Sequence, residues 1–221
     1  VIDTTQNAIL RFLHGGAGFT GTISNISIRE APKIVWAPHN LVEYSNDLTS
    51  WNNAWNGGVT LTPDDIVGPD GVNSLAKLAR IDSANDATFT SFDLTAGLTY
   101  TVSFVAKAGT STSSKVFFYD LSALGTSSEL SFSWGSPPTT TSSTNATNID
   151  YADLGGGFYR ISFSMVPNTT AGHRLVVTPA NTGTSNEYIH FGQVTVYRSD
   201  LGGMNPVPGA ATGFAYYVPT S

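Results

Sequence analysis

The sequence predicts an all-β protein, an antiparallel jelly-roll sandwich with extended terminal arms. Composition is the first observation behind this prediction: the 221 residues include 28 Thr, 24 Ser, 22 Gly and 12 Phe, and only 12% are charged. Thr and aromatic side chains suit a pleated surface, whereas exposed helix faces are normally rich in Glu, Lys and Arg. A helical bundle is therefore excluded, and the chain is long enough to bury a sizeable core.

Alternation of apolar and polar residues is the second observation. In residues 98–107 the side chains of Tyr100, Val102 and Phe104 share one face, which is the period-two pattern of a half-buried strand. Further strands are predicted at residues 8–13, 22–29, 55–61, 75–80, 87–94, 115–119, 129–132, 160–165, 174–178 and 188–197.

Turn residues between these segments are the third observation. Turns are predicted at Pro69-Asp70-Gly71, Ala96-Gly97, Gly155-Gly156-Gly157 and Asn181-Thr182-Gly183. Many short strands with such punctuation indicate a sandwich or a barrel, of which we favour the jelly roll. Residues 136–147 (SPPTTTSSTNAT) contain little apolar surface, so we predict an exposed, mobile loop there.

An apparent internal repeat divides the chain. Residues 23–28 align with residues 191–196, and residues 8–13 align with residues 173–178, with apolar positions coinciding in both pairs. Any two amphipathic strands can match this well, so coincidence stays open as the alternative. We predict an N-terminal strand pair or arm at 1–37 that resembles the end of an upstream module, a sandwich at 38–198, and an extended C-terminal tail at 199–221.

Charge and cysteine content exclude several function classes. The formal net charge of -6 and a pI near 4.9 leave no cationic footprint for a phosphate backbone, so nucleic acid is not a predicted partner. The absence of cysteine excludes a disulfide framework, a thiolate zinc site and a cysteine nucleophile. No apolar run approaches the roughly 18 residues of a membrane span, so membrane insertion is not predicted.

Several ordered motifs resemble those of β-sandwich modules, similar to carbohydrate-binding modules, that recur in bacteriophage tail-fibre and other virion proteins. The motifs are residues 40–47 (NLVEYSND) with Trp51, then 68–71 (GPDG), 75–78 (LAKL), 94–100 (LTAGLTY), 106–109 (AKAG), 157–162 (GFYRIS) and 216–220 (YYVPT). Residues 22–30 (TISNISIRE) resemble the final strand of such a module. The resemblance lies in framework residues and supplies no catalytic residue.

The resemblance implies a location on the surface of a virion and contact with other copies of the chain and with other virion proteins. It also implies a homo-oligomer, with a trimer favoured, and allows contact with a host-surface glycan. We therefore expect a non-enzymatic phage virion protein, either a capsid decoration or a tail-fibre component. A host-glycan receptor-binding module is the first alternative, and a polysaccharide-degrading enzyme is the second.

Aromatic rings are the side chains on which a glycan face would depend. A flat apolar ring covers the C–H face of a pyranose, while neighbouring polar groups orient its hydroxyls. The candidates for contact with a glycan or a partner are Trp134, Trp55, Trp51 and Tyr151. Trp51 also occupies a position that the resembled modules usually fill, which favours a framework role for it.

Acidic residues provide the candidates for a metal site and for hydrolysis. Asp64, Asp65, Asp70, Asp82 and Asp86 cluster in sequence and could supply oxygen ligands to calcium, although Asp also serves turns. We predict no cofactor and keep a structural calcium ion as the alternative. Glycoside hydrolysis needs two carboxylates across a cleft, and nothing in the spacing of Glu43, Glu129 and Glu187 pairs them.

Overall fold

The computed structural model describes residues 40–199, except residues 44, 56, 72–73, 82–85 and 182–184. A short 3-10 helix at Leu48–Ser50 precedes the strands. The strands are β1 (Asn52–Trp55), β2 (Val59–Val67), β3 (Ser74–Arg80), β4 (Ala87–Leu94), β5 (Tyr100–Ala108), β6 (Ser113–Asp120), β7 (Gly125–Ser133), β8 (Thr139–Thr144), β9 (Thr147–Gly155), β10 (Phe158–Met165), β11 (Ala171–Thr178) and β12 (Tyr188–Arg198).

The strands form two six-stranded antiparallel sheets. The first sheet has the order β1-β4-β11-β6-β7-β8 and the second the order β2-β3-β12-β5-β10-β9. Several consecutive strands, such as β4 and β5 or β8 and β9, lie in different sheets, so the chain repeatedly crosses the core. The predicted antiparallel jelly-roll sandwich is therefore confirmed. The predicted arm at 1–37 lies outside the described residues, as does the tail at 199–221 apart from Ser199.

Aromatic and aliphatic side chains from both sheets fill the space between them. On β5 the predicted face of Tyr100, Val102 and Phe104 is buried in this core. Phe118 of β6 and Phe163 of β10 meet edge to face, with ring centroids 6.1 Å apart, and so join the two sheets. None of the described residues belongs to a helix that is long and apolar enough to cross a membrane.

Two local predictions are wrong. Residues 136–147 do not form a mobile loop, because Thr139–Thr144 pair with β7 as an edge strand and Thr147 begins β9. The exposed Ser and Thr side chains of this strand show no apolar alternation, so the sequence did not predict it. Its pairing comes from the backbone and from the β propensity of Thr. The predicted strand at 55–61 is two strands, since Gly57 and Gly58 adopt φ of 112° and 84° and reverse the chain.

Asp120, at the end of β6, anchors the β6–β7 turn. Its Oδ1 accepts hydrogen bonds from the Ser122 backbone at 2.7 Å, the Ser122 hydroxyl at 2.8 Å and the Ala123 backbone at 3.0 Å, while Oδ2 accepts one from the Thr169 hydroxyl. Burial raises the pKa of Asp120, but these hydrogen bonds outweigh burial and hold the pKa well below its ordinary value. The His173 ring faces the same carboxylate, with Nε2 3.7 Å from Oδ2.

Replacing Asp120 with Asn is expected to lower the free energy of unfolding at neutral pH by about 1 to 3 kcal/mol, because the charge-assisted hydrogen bonds lose their anionic acceptor. A depressed pKa in the folded protein stabilises the fold above the pKa of the unfolded chain, and this contribution is lost as pH falls. The difference in unfolding free energy between wild type and variant should therefore become smaller below about pH 4. Urea unfolding across pH measures it, with Asp93→Asn at an exposed site as control. A pH-independent difference would contradict this account.

Candidate functional site

The first sheet carries apolar side chains on both of its faces. On β11 Leu175 and Val177 belong to the core, whereas Val176 between them belongs to a separate apolar cluster. Successive side chains of a strand point to opposite faces, so the separate cluster lies on the outer face of the sheet. We call it the outer aromatic cluster; its members are Trp55, Ala87, Phe89, Phe117, Tyr119 and Val176.

Trp55 is the centre of the outer aromatic cluster. Its ring centroid lies 5.7 Å from that of Phe89, 5.9 Å from that of Phe117 and 5.0 Å from that of Tyr119, all in edge-to-face geometry. Phe89 is on β4, and Phe117 and Tyr119 are on β6, so the indole reaches inward from the edge strand β1 across the face. Trp55, Phe89 and Tyr119 remain partly exposed, while Val176 is fully buried.

The position of Trp55 follows from the end of β1. Trp55 pairs with Ala87 of β4, and the Trp55 carbonyl accepts a hydrogen bond from Gly58 at 2.9 Å in the turn that leads to β2. The short side chain of Ala87 leaves space beside the strand, into which the indole extends. The local pairing and the two glycines of the turn therefore hold the indole over the sheet.

Two cations lie on the same outer face. The guanidinium carbon of Arg174 is 4.4 Å from the centroid of Phe89 and 5.6 Å from that of Trp55. Lys115 Nζ lies 5.1 Å from the centroid of Phe117 and 4.0 Å from a carboxylate oxygen of Glu129. The face thus combines partly exposed rings with charged and polar groups, which is the composition of a site for a polar ligand with apolar faces.

The outer face of the second sheet has a different character. Its outward-facing Ser103 and Val105 on β5 and Ser162 on β10 are buried. Toward the β3 end of this face, His190 Nε2 is 2.8 Å from Asp65 Oδ2, and Lys77 Nζ lies 4.2 Å from the centroid of Tyr188. The partly exposed Tyr188 ring also packs edge to face on the His190 ring, with centroids 5.4 Å apart. Among the described residues, the outer face of the first sheet differs by grouping four aromatic rings, of which those of Trp55, Phe89 and Tyr119 are partly exposed.

The four aromatic residues that the sequence predicts as contacts for a glycan or a partner lie at three different places in the sandwich. Trp55 lies in the outer aromatic cluster. Trp51 is only 5% exposed and packs edge to face on Phe191 in the core, with centroids 6.2 Å apart, so its ring has little surface left for a ligand. The framework role that the motif favoured for Trp51 is the one that this geometry provides.

Trp134 and Tyr151 lie together at the seam where β7, β8 and β9 meet. Both rings pack edge to face on Phe132, at centroid distances of 5.2 and 6.1 Å. The Trp134 indole donates a hydrogen bond to the Ser114 hydroxyl at 2.8 Å, and the Tyr151 hydroxyl bonds the Thr140 hydroxyl at 2.9 Å. Burial raises the pKa of Tyr151. Both polar groups are engaged within the fold, which closes the edge of the sandwich here.

The acidic candidates do not converge in the described part of the chain. Asp65 contacts His190, Asp70 Oδ2 accepts a hydrogen bond from Gln193 at 3.2 Å, and Asp86 Oδ2 accepts one from the Ile81 backbone at 3.2 Å. Asp64 is exposed in a left-handed conformation with φ of 50°. No group of three or more His, Asp or Glu able to hold a metal ion occurs among the described residues. Asp82 lies outside those residues.

The sequence did not predict a role for Phe89, Phe117, Tyr119 or Arg174, which lie with Trp55 on the outer face of the first sheet. A signal for two of them was present on β6, where Val116 and Phe118 alternate with Phe117 and Tyr119, so that both faces of the strand are apolar. A strand of this kind must bury, or offer to a ligand, a second apolar face. Which face meets the core could not be read from one strand alone.

Comparisons with known proteins give structural neighbours at low identity. No family model matches the chain. No curated protein matches it. A carbohydrate-binding module of family 4 shares 18% identity over 57% of this chain and 71% of its own, with a TM-score of 0.37. A family 61 carbohydrate-binding module, solved with β-1,4-galactotriose, shares 11% identity over 72% of this chain and 99% of its own, with a TM-score of 0.39.

A third neighbour is the enzymatically active domain of tailspike protein 4 of bacteriophage CBA120. It shares 15% identity over 72% of this chain, with a TM-score of 0.43, and the chain spans only 21% of that domain. At these values the likeness does not extend to function. The function proposed below therefore depends on the side chains of this chain.

Trp51 and Trp55 are expected to differ in what they contribute to stability. Trp51→Ala removes a buried ring from the core and should cost about 3 to 5 kcal/mol of unfolding free energy. Trp55→Ala should cost clearly less, because its ring is partly exposed and less buried contact is lost. Urea unfolding of the two variants measures the difference, and equal losses would contradict the assignment of Trp55 to an accessible face.

Proposed function

We propose that the chain is a non-catalytic glycan-binding β-sandwich module of a virion surface protein, and that it binds glycan on the outer face of the first sheet. The observation that carries the proposal is the outer aromatic cluster, centred on the partly exposed Trp55. The motifs that resemble virion sandwich modules support the setting on a virus particle. The glycan face itself is supported by its composition of rings, hydroxyls and charges.

The geometry suits a sugar for two physical reasons. The edge-to-face contacts of Phe89, Phe117 and Tyr119 orient the indole of Trp55, so little side-chain entropy is lost when a pyranose packs on it. Around the indole, the Tyr119 hydroxyl and the Ser91 hydroxyl of β4 lie on the same face as potential partners for sugar hydroxyls, since Arg174 pairs with both residues in register. A face built on paired strands also stays rigid.

The arrangement of the glutamates supports a non-catalytic role. Glu129 lies near Lys115 on the first sheet, and Glu187 lies 3.7 Å from Arg80 beside the second sheet. Glu43 is exposed ahead of β1. Glycoside hydrolysis requires two Asp or Glu carboxyl groups that face one substrate, and these three glutamates belong to different parts of the sandwich, so no two of them form such a pair.

Replacing Trp55 with Ala is expected to weaken glycan affinity at least tenfold, about 1.4 kcal/mol, because the platform for the C–H face of the sugar is lost. A glycan array of bacterial and plant oligosaccharides identifies the ligand, and isothermal titration measures the affinity of the full chain.

The matched control is Trp134→Phe, which alters an indole at the β7–β8–β9 seam and should leave affinity unchanged. The unfolding midpoint of each variant verifies the fold. Absence of wild-type binding above millimolar affinity would refute the glycan function, and loss of binding in the Trp134 variant instead would move the site to the seam.

A second candidate function is assembly with other copies of the chain, and β8 favours it. Its six residues, Thr139–Thr144, are all exposed, uncharged and free of proline at the edge of the first sheet. The other edge strands are less open: β2 contains Pro63, Asp64 and Asp65, β9 contains Asp150 and Asp153, and β1 has four residues. Charges, prolines and short length block edge pairing, so β8 is the strand best suited to pair with a neighbour.

Lysines placed on β8 are expected to reduce self-association, because charges on an edge strand oppose pairing with a second sheet. The double variant Ser142→Lys with Thr144→Lys should sediment at lower mass than wild type, and Thr60→Lys with Thr62→Lys on β2 is the control. A twofold β8–β8 pairing gives a dimer, whereas β8 against a different edge can close a ring such as the expected trimer. A wild-type chain that is monomeric at all concentrations would refute assembly through β8.

A further inference from the structure

We infer that the glycan face selects acidic glycans, those with a carboxylate on the sugar ring, and that Arg174 is the residue that recognises the carboxylate. This inference rests on the proposed function and names the ligand class of that same face. It follows from the placement of the guanidinium, from the absence of a carboxylate beside it among the described residues, and from the distance between Arg174 and Trp55.

The guanidinium of Arg174 is held in place by its neighbours. Arg174 is near the middle of β11 and pairs with Ser91 on one side and Tyr119 on the other. Its guanidinium carbon lies over Phe89 at 4.4 Å and near Trp55 at 5.6 Å. Contact with two rings restricts the long side chain and removes part of its hydration, so less entropy is lost when it binds an anion.

Arg174 lacks a carboxylate partner within the described part of the chain. No Asp or Glu oxygen of the described residues is within 4.0 Å of its guanidinium, and its buried Nε has no hydrogen-bond partner there. By contrast, Lys115 on the same face has Glu129. Asp93 is also on this face, but it pairs with Gly172, two residues before Arg174 on β11, and forms no ion pair with Arg174.

The spacing suits a uronic acid. A uronic acid carries its carboxylate directly on a carbon of the pyranose ring, so a ring packed on the Trp55 indole brings the carboxylate close to a guanidinium only 5.6 Å from the indole centroid. The planar guanidinium can then donate two parallel hydrogen bonds to the two carboxylate oxygens. A neutral sugar in the same position leaves this cation without an anionic partner.

The attraction between Arg174 and the glycan carboxylate should act at short range. The net charge of the chain is -6, which opposes the approach of an acidic polymer over long distances. The preference therefore depends on contact with Arg174 and should appear mainly as slower dissociation, since charges in direct contact affect dissociation more than encounter.

The test is isothermal titration of the full chain with oligouronates, each compared with its own carboxyl-reduced, neutral form. Oligogalacturonate, oligomannuronate and hyaluronan fragments supply three ring stereochemistries. Wild type should bind at least one oligouronate about tenfold or more tightly than its reduced form. Arg174→Gln should abolish that difference while keeping the affinity for the neutral form, and Arg174→Lys should keep part of it because the charge remains.

Lys107→Gln is the matched control, because Lys107 Nζ also lies over a ring, 4.6 Å from the Phe158 centroid, but on the second sheet. It removes one positive charge, as Arg174→Gln does, and should leave the preference intact. Equal binding of acidic and neutral forms by wild type overturns the inference and leaves the proposed glycan function standing. Binding of neither form at millimolar concentration overturns the inference, whereas the glycan array decides the proposed glycan function. An unchanged preference in Arg174→Gln also overturns the role of Arg174.

Discussion

The contact between Phe118 and Phe163 across the core is the interaction from which the rest of the sandwich follows. Phe118 belongs to β6 of the first sheet and Phe163 to β10 of the second, and their rings pack edge to face. Because side chains alternate along a strand, turning Phe118 inward turns Phe117 and Tyr119 outward. The packing that closes the core thus also creates the apolar surface on the opposite face of the same sheet.

The outer aromatic cluster on that surface is only partly buried, and this makes it a candidate binding face. Trp55 packs against the cluster that includes Val176 and contacts three rings, yet its own ring and those of Phe89 and Tyr119 stay partly exposed. An apolar cluster that served stability alone would be most favourable when fully covered. Rigid strands beneath it and partial exposure above it are the two properties that a preorganised site for a flat ligand requires.

The two cations of the outer face differ in whether a carboxylate lies beside them. Arg174 stands beside the indole without a carboxylate partner among the described residues, whereas Lys115 has Glu129. Trp55, which lies near the guanidinium, is also the ring on which the sugar is proposed to pack, so stacking and charge recognition share one side chain. Three polar groups outside this face are engaged within the fold: the Asp120 carboxylate accepts hydrogen bonds in the β6–β7 turn, the Trp134 indole donates to Ser114, and the Tyr151 hydroxyl bonds Thr140. Side chains already engaged within the fold have less capacity for an external ligand.

The sequence by itself determined the all-β class and most strands, because period-two alternation is local. The strand predicted at 87–94 has the bounds of β4, and that predicted at 188–197 is β12 within one residue. It did not reveal β8, whose exposed Thr and Ser residues resemble a loop until β7 supplies backbone partners. Nor could it assemble the candidate face, although it named Trp55. Residues 55, 89, 117 and 174 are far apart in the chain, and only the pairing order β1-β4-β11-β6 brings their side chains onto one surface.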